Sequence, residues 1–345
     1  MSKLVNLTSL FLNENYVRDL QPLGRLHQLE VLDLTETDFD SYEEEDEDEL
    51  ETEPTFDLPS LPALKTLKMG QCNLEHLQLP DLPQLRTLEL GDNALTGQFD
   101  ASRFALLESL DIVHNQFDEL TLGHLPKLKK LLLSGGSITE LDLNQIPSLY
   151  LLHIEGGNFT QLSLSQVPKL QTLIVHSGSF TALDLTQQQE LKMLWVQHSQ
   201  LSALTLAAHY PYLHEAHLIE NQLNRFEAPN CPKLHTLALQ QNKLTYLKVE
   251  NLASLGSLSA QNNLLEEIQL QNLPKLYDLY LEHNQLKTFL PEWLEACPQL
   301  GYLTLNNNPI ENLPKETYED LPKDPFDRVP SCLDNLKNFF EQNKE

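Results

Sequence analysis

The stretch LHTLALQQN, residues 234–242, decides how this chain is read. Leu237 and Leu239 alternate with Ala238 and Gln240. A period of two is that of a strand with one face buried, so the leucines face inward and Ala238 faces out. Three residues past Leu239 stands Asn242. The same pattern returns in LGSLSAQNN, residues 255–263, and in LYDLYLEHN, residues 276–284. A strand this short cannot bury its leucines alone, so the next copy must supply the missing partner.

Working outward, the pattern L-x-x-L-x-L-x-x-(N/C/G/S/T) opens at Leu7, Leu29, Leu64, Leu85, Leu107, Leu128, Leu149, Leu170, Leu191, Leu213, Leu234, Leu255, Leu276 and Leu300. Most intervals are 21 or 22 residues; the exceptions are 35 after Leu29 and 24 after Leu276. A repeat of this length with this core resembles the leucine-rich repeat family, over residues 4 to about 313. The resemblance implies an α/β solenoid: a right-handed superhelix of about 14 repeats, with a parallel sheet on its concave face. From Leu64 on, return segments such as LDLNQIPSL and IQLQNLPKL alternate leucines and end in Pro. They predict a convex side that is mostly extended or 3-10, with little helix. PEWLEACP, residues 291–298, predicts one or two helical turns there. The opening NENYVRDLQPLGRL resembles the internalin-like subtype. Asn15, Asn93, Asn115, Asn221, Asn242, Asn263, Asn284 and Asn308 close their strands and are expected to form a ladder that satisfies turn backbone.

The solenoid is assigned to residues 4–313, with an insertion carrying an acidic loop at 40–57. Residues 314–345 are assigned to a C-terminal cap with a terminal helix at 331–343. Nine of residues 43–53 are acidic, which reads as a solvated loop. The passage NNNPIENLPKE followed by SCLDNLKNFFEQNKE, within 308–345, looks like the junction of bacterial ROCO proteins. In those proteins a leucine-rich repeat array leads into a Ras-like GTPase domain. No phosphate-binding G-x-x-x-x-G-K-[ST] occurs in this chain.

The formal charge of −27, from 50 acidic against 23 basic residues, argues against nucleic acid and anionic membrane as partners. Cys72, Cys231, Cys297 and Cys332 form no C-x-x-C pair and no disulfide cap, so they read as buried thiols of a reducing, cytoplasmic protein. No nucleophile motif or zinc spacing appears, and the chain is read as a binding module without catalytic activity, cofactor or metal. Glu155 and His176 share one slot on successive strands, with His153 diagonal to them and His198 beyond. Nothing in the spacing fixes a metal geometry there, and these are read as surface histidines.

Register singles out a face. Leu194 and Val196 fill inward slots, so Trp195 must point out of the sheet. The slot of Trp195 reads, along the repeats, Phe11, Asp33, Lys68, Glu89, Asp111, Leu132, His153, Ile174, Trp195, His217, Ala238, Ser259, Tyr280 and Thr304. Apolar and histidine residues concentrate in its middle and in the neighbouring slots: Val113, Leu132, Leu151, His153, Ile174, His176, Met193, Trp195, His217 and Ile219. An apolar patch with an aromatic near its centre is the expected form of a protein-binding site. The competing explanation is cross-strand packing alone. Gly136, Gly157, Gly178 and Ser199 replace the ladder Asn in four successive repeats; either the turn differs there, or the sheet edge is kept low for a ligand. Two functions follow: a regulatory arm of a ROCO-type GTPase signalling protein, or a standalone adaptor or host-directed bacterial effector.

Overall fold

The fourth residue of each copy turns into a strand because leucines on both sides of it can be buried only by a neighbouring copy. In a computed structural model of the chain, which describes residues 4–17, 19–39, 57–318, Leu336 and Phe339, this has happened in every copy. The chain divides into two compact units, residues 1–170 and 171–345.

The first unit carries β1 (Ser9–Phe11), β2 (Val31–Asp33), β3 (Thr66–Lys68), β4 (Thr87–Glu89), β5 (Ser109–Ile112), β6 (Lys130–Ser134) and β7 (Leu151–Glu155). They pair in chain order, all parallel. The second unit carries β8 (Thr172–His176), β9 (Met193–Gln197), β10 (Glu215–His217), β11 (Thr236–Ala238), β12 (Ser257–Ser259), β13 (Asp278–Tyr280) and β14 (Tyr302–Thr304), again parallel and in chain order. Each unit is thus a parallel β-solenoid. The inward leucines, such as Leu67, Leu131, Leu194 and Leu258, are buried in both.

The return side is as extended as its alternating leucines require. Small parallel sheets form between Thr96–Asp100 and Gln116–Thr121 in the first unit. In the second they join Ala182–Asp184 to Ala203–Thr205, and Arg225–Glu227 to Tyr246–Glu250 and Glu267–Gln271. Up to residue 318 the described residues hold a 3-10 turn at Gln21–Arg25 and the short helices Glu292–Ala296 and Lys315–Tyr318. The helix Glu292–Ala296 is the one the sequence places at PEWLEACP, and it buries Trp293 against Phe289, with ring centroids 5.2 Å apart. The acidic loop at 43–53 and Cys332 lie outside the described residues. Of the terminal helix at 331–343, only Leu336 and Phe339 are described; both are helical, and Leu336 is buried.

The ladder is present, and it has a second component. The seventh residue after each opening leucine has positive φ in most repeats: Glu14, Glu36, Gln71, Asp92, His114, Ser177, His198, Glu220, Gln241, Asn262, His283 and Asn307, with φ between 52° and 60°. A left-handed conformation costs an L-residue roughly 1–2 kcal/mol. The next side chain holds it in place. Asn242 donates from Nδ2 to Leu218 O (2.8 Å) and Leu239 O (3.0 Å), while its Oδ1 accepts from Leu223 N (3.0 Å). Asn93, Asn115, Asn263, Asn284 and Asn308 do the same in their own repeats. Thr37 and Cys72 fill the slot with shorter donors, to Leu12 O and Leu34 O, each at 3.0 Å. Ser199 accepts from Gly178 N at 2.9 Å.

The glycine run has a packing cause. Phe159 and Phe180 are both 1% exposed and occupy the space where a ladder side chain would lie. A Cβ on Gly157, at φ +116°, would stand 2.5 Å from the Phe159 ring, and one on Gly178 would stand 2.6 Å from the Phe180 ring. A turn packed around a buried ring accounts for Gly157 and Gly178, whereas a Cβ on Gly136 would meet only backbone, with Phe117 O at 3.2 Å.

The core of the second unit has one loose place. Ala216 stands where other copies carry leucine, beside a cavity of ≈ 20 Å³ lined by apolar groups of Leu194, Tyr210, Leu218, Cys231 and their neighbours. Tyr210, wholly buried, partly fills this region, and its hydroxyl donates to Leu185 O (2.8 Å) and accepts from Ala207 N (3.0 Å).

Substitutions at two positions test the turn. Asn242→Ala leaves two carbonyls and an amide without this partner, at roughly 1–3 kcal/mol for each buried group left unpaired; the urea unfolding midpoint should fall accordingly. Gln241→Val, which puts a branched side chain at φ 57°, should also lower the midpoint, whereas Gln241→Gly should leave it unchanged or raise it.

Candidate functional site on the solvent face of the strands

The outward slots of the strands, and the positions just past them, hold all ten residues of the candidate patch. In the first unit, Leu132 lies between Asp111 and His153 in register, and Leu151 lies beside Lys130. Val113, just past β5, donates its N–H to Asp111 Oδ1 at 3.1 Å. His153 Nε2 is 2.7 Å from Glu155 Oε1 on the same strand. Asp111 is pushed above its ordinary value, first by burial and then by the nearby Glu89 and Asp92 carboxylates.

In the second unit the slot of Trp195 forms a row across successive strands: Ile174, Trp195, His217, Ala238, Ser259, Tyr280, Thr304. Leu194 and Val196 are buried on either side of Trp195, so the ring faces out, as register demands. It packs on His217 with centroids 5.0 Å apart and planes tilted by 38°. Its Nε1 is covered by protein and has no hydrogen-bond partner among the described residues. Met193 pairs with Thr172 and Glu215, and His176 pairs with Gln197. Ile219 follows β10. His198 Nδ1 lies 2.8 Å from Glu220 Oε2.

All ten candidates are half-buried rather than exposed. Cross-strand neighbours cover much of each side chain, so the face is a packed apolar surface and not a set of projecting groups. The fully exposed large apolar residues lie elsewhere. Phe11, at 63%, sits in the same slot on β1, and Tyr16, Tyr212, Leu264 and Tyr277 are also exposed. The sequence reading also passed over Tyr280 and Tyr302, whose rings lie 5.4 Å apart on β13 and β14. The signal was present in the slot readout: two small residues, Ala238 and Ser259, precede Tyr280.

The three described thiols are buried. Burial pushes Cys72 above its ordinary value and Cys231 and Cys297 up to about 12. They remain protonated and serve as packing groups.

The repeat geometry agrees with known proteins. A model of the leucine rich repeat matches residues 265–310. No curated protein sequence matches the chain. Among solved structures, the functional domain of InlJ from Listeria monocytogenes is similar at 23% identity and a TM-score of 0.64, over 88% of this chain and 69% of that one. A leucine-rich repeat protein of Leptospira interrogans is similar at 24% identity and a TM-score of 0.53, over 92% of this chain and 95% of its own. The Arabidopsis receptor kinase HAESA, solved with the peptide hormone IDA and the co-receptor SERK1, is similar at 20% identity and a TM-score of 0.54, over 96% of this chain and 65% of that one. The fold of this chain is that of a leucine-rich repeat solenoid.

His217 makes this face sensitive to acid. Burial holds its imidazole below the ordinary value of 6.5, against a smaller upward pull from Glu215 4.0 Å away. Below pH 6.5 the unfolded chain takes up this proton more readily than the folded one, so stability falls as pH drops through that range. His217→Gln removes the contribution. Urea midpoints measured from pH 7.5 to 5 should fall less steeply for the variant than for the wild type.

Proposed function

We propose that this chain binds a protein partner through the solvent face of its strands. The observation that carries the proposal is the row Ile174, Trp195, His217. Three large side chains stand side by side in register on adjacent strands, flanked by Met193 and Ile219, with polar groups at the margin. Contiguous apolar surface rimmed by polar groups is the form interaction sites take, and tryptophan is the residue most often found at their energetic centre. The fold supports the same reading, since HAESA, with a similar fold, is seen with a peptide hormone and a co-receptor. In the first unit, Val113, Leu132, Leu151 and His153 extend the candidate set.

The finer proposal is that the chain acts in the cytoplasm as the sensing arm of a ROCO-type GTPase signalling protein. The resemblance of residues 308–345 to the junction of such proteins supports it, as does the helical, buried state of Leu336. The three described thiols, buried and free, fit a reducing compartment.

A paired pull-down from native lysate tests the binding face. One bait is the wild type, the other carries Ile174→Ser and Trp195→Ser, with matched circular dichroism. The expected result is a protein retained by the first and lost by the second. Identical catches from two folded baits would mean that the row is sheet packing alone.

A further inference from the structure

The second unit carries a depression beside the Trp195 row. On β11 and β12 the outward residues are small: Thr236, Ala238, Ser257 and Ser259. Ala238 faces solvent by register yet is 5% exposed, so it lies at the bottom of a hollow. One wall is the Trp195–His217 ring pair and the other is the Tyr280–Tyr302 pair. The walls rise from β10 and β13, three strand spacings apart, or roughly 14 Å, which accommodates one extended chain.

The charge of the trough is one-sided. Glu215 and Asp278 stand at the strand-start end of the two walls, and Glu220 and Glu282 stand at the other end. The outward slots of β8 to β14 contain no lysine or arginine. In the first unit the corresponding slots include Lys68 and Lys130. Two acceptors close the floor: Gln240 Oε1 and Gln261 Oε1 are covered and have no hydrogen-bond partner among the described residues. Buried amide oxygens normally find a donor. The terminal torsion of a glutamine is soft, so a small rotation turns either oxygen toward the floor.

We infer that this trough binds an extended peptide segment rich in arginine, a reading that rests on the proposed protein-binding role of the same face. A guanidinium plane stacks on Tyr280 across from His217, and its N–H donors reach toward the carboxylates at the two ends. A lysine makes the ionic contact without the planar stacking, so arginine is preferred. Main-chain or side-chain N–H groups of the segment meet the two glutamine oxygens. The small floor admits the chain, and bulk there excludes it. Because the attraction is largely between charges at the rim, binding weakens as salt rises.

The test is selection of a displayed random heptapeptide library on the purified full chain, in wild type, Ser259→Trp, Asp278→Asn/Glu282→Gln and Ile174→Ser forms. The expected result is enrichment of arginine-containing peptides on the wild type. A selected peptide made synthetically should bind at least about tenfold more weakly to Ser259→Trp and to the Asp278→Asn/Glu282→Gln chain. Replacing its arginines with citrulline should weaken it as much. Should Ser259→Trp fail to fold, the charge variant and the citrulline peptide still decide the matter. Enrichment of acidic or apolar peptides, basic peptides that bind every variant equally, or no enrichment would each overturn the inference. Apolar peptides lost on Ile174→Ser but kept on Ser259→Trp would uphold the wider binding face while removing the trough.

Discussion

The strand face depends on one turn that recurs in most repeats. Each strand is only a few residues long, and within one to three residues of its end a residue adopts a left-handed conformation. That conformation is unfavourable for an L-residue, and it persists because the following side chain bonds backbone groups of its own and adjoining turns. Asn242 illustrates the coupling: it bonds Leu218 and Leu239 with its amide nitrogen while its oxygen takes the Leu223 amide. A buried carbonyl in one repeat is therefore satisfied by an asparagine of the next, and the turns hold one another in place. The regular sequence positions of Trp195, His217 and Tyr280 become neighbouring spatial positions only because this turn repeats without slippage.

The register was legible in the sequence because a period of two with leucine on one side leaves only one choice. Leu194 and Val196 cannot both be buried unless Trp195 faces out. The left-handed residue was legible too, though it was not read. Its slot holds Glu, Gln, Asp, His, Gly, Ser or Asn in every repeat, and no branched or aromatic residue. What was hidden was depth. A linear slot readout gives the identity of a side chain and not how far its neighbours rise around it. In the sequence Ala238 and Ser259 are only small residues beyond the apolar patch, whereas between two ring pairs they form the floor of a trough. The glycines at 157 and 178 were similarly ambiguous, because the rings that exclude a Cβ, Phe159 and Phe180, lie in the following segment and face inward.

The core also shows how a repeat tolerates a local exception. Ala216 removes most of a leucine from an inward slot of β10. Removing buried methylenes without compensation costs a few kcal/mol. Here Tyr210 enters from the return segment, buries its ring and satisfies its hydroxyl on two backbone groups, so that only a small cavity remains. The exception lies directly beneath His217. Its effect is confined to the interior, since His217 keeps its register with Trp195 and Ala238.

Charge is divided between the faces of the second unit in a way that composition alone does not require. An acidic chain can scatter its lysines among its carboxylates and gain modest ion pairs, as the first unit does with Lys65–Glu30, Lys68–Glu89 and Lys129–Glu108. Lys192 and Lys233 of the second unit sit at the strand-start edge, as Lys65 and Lys129 do in the first, with Lys233 over the Tyr212 ring and His214 stacked on His235; the second unit has no counterpart of the outward Lys68. The outward slots are left with carboxylates, amides, hydroxyls, histidines and aromatic or aliphatic groups. Stability gains little from that separation, because an exposed pair contributes about 1 kcal/mol or less wherever it is placed. Recognition gains more: outward slots without lysine or arginine place no fixed cation beside a basic ligand.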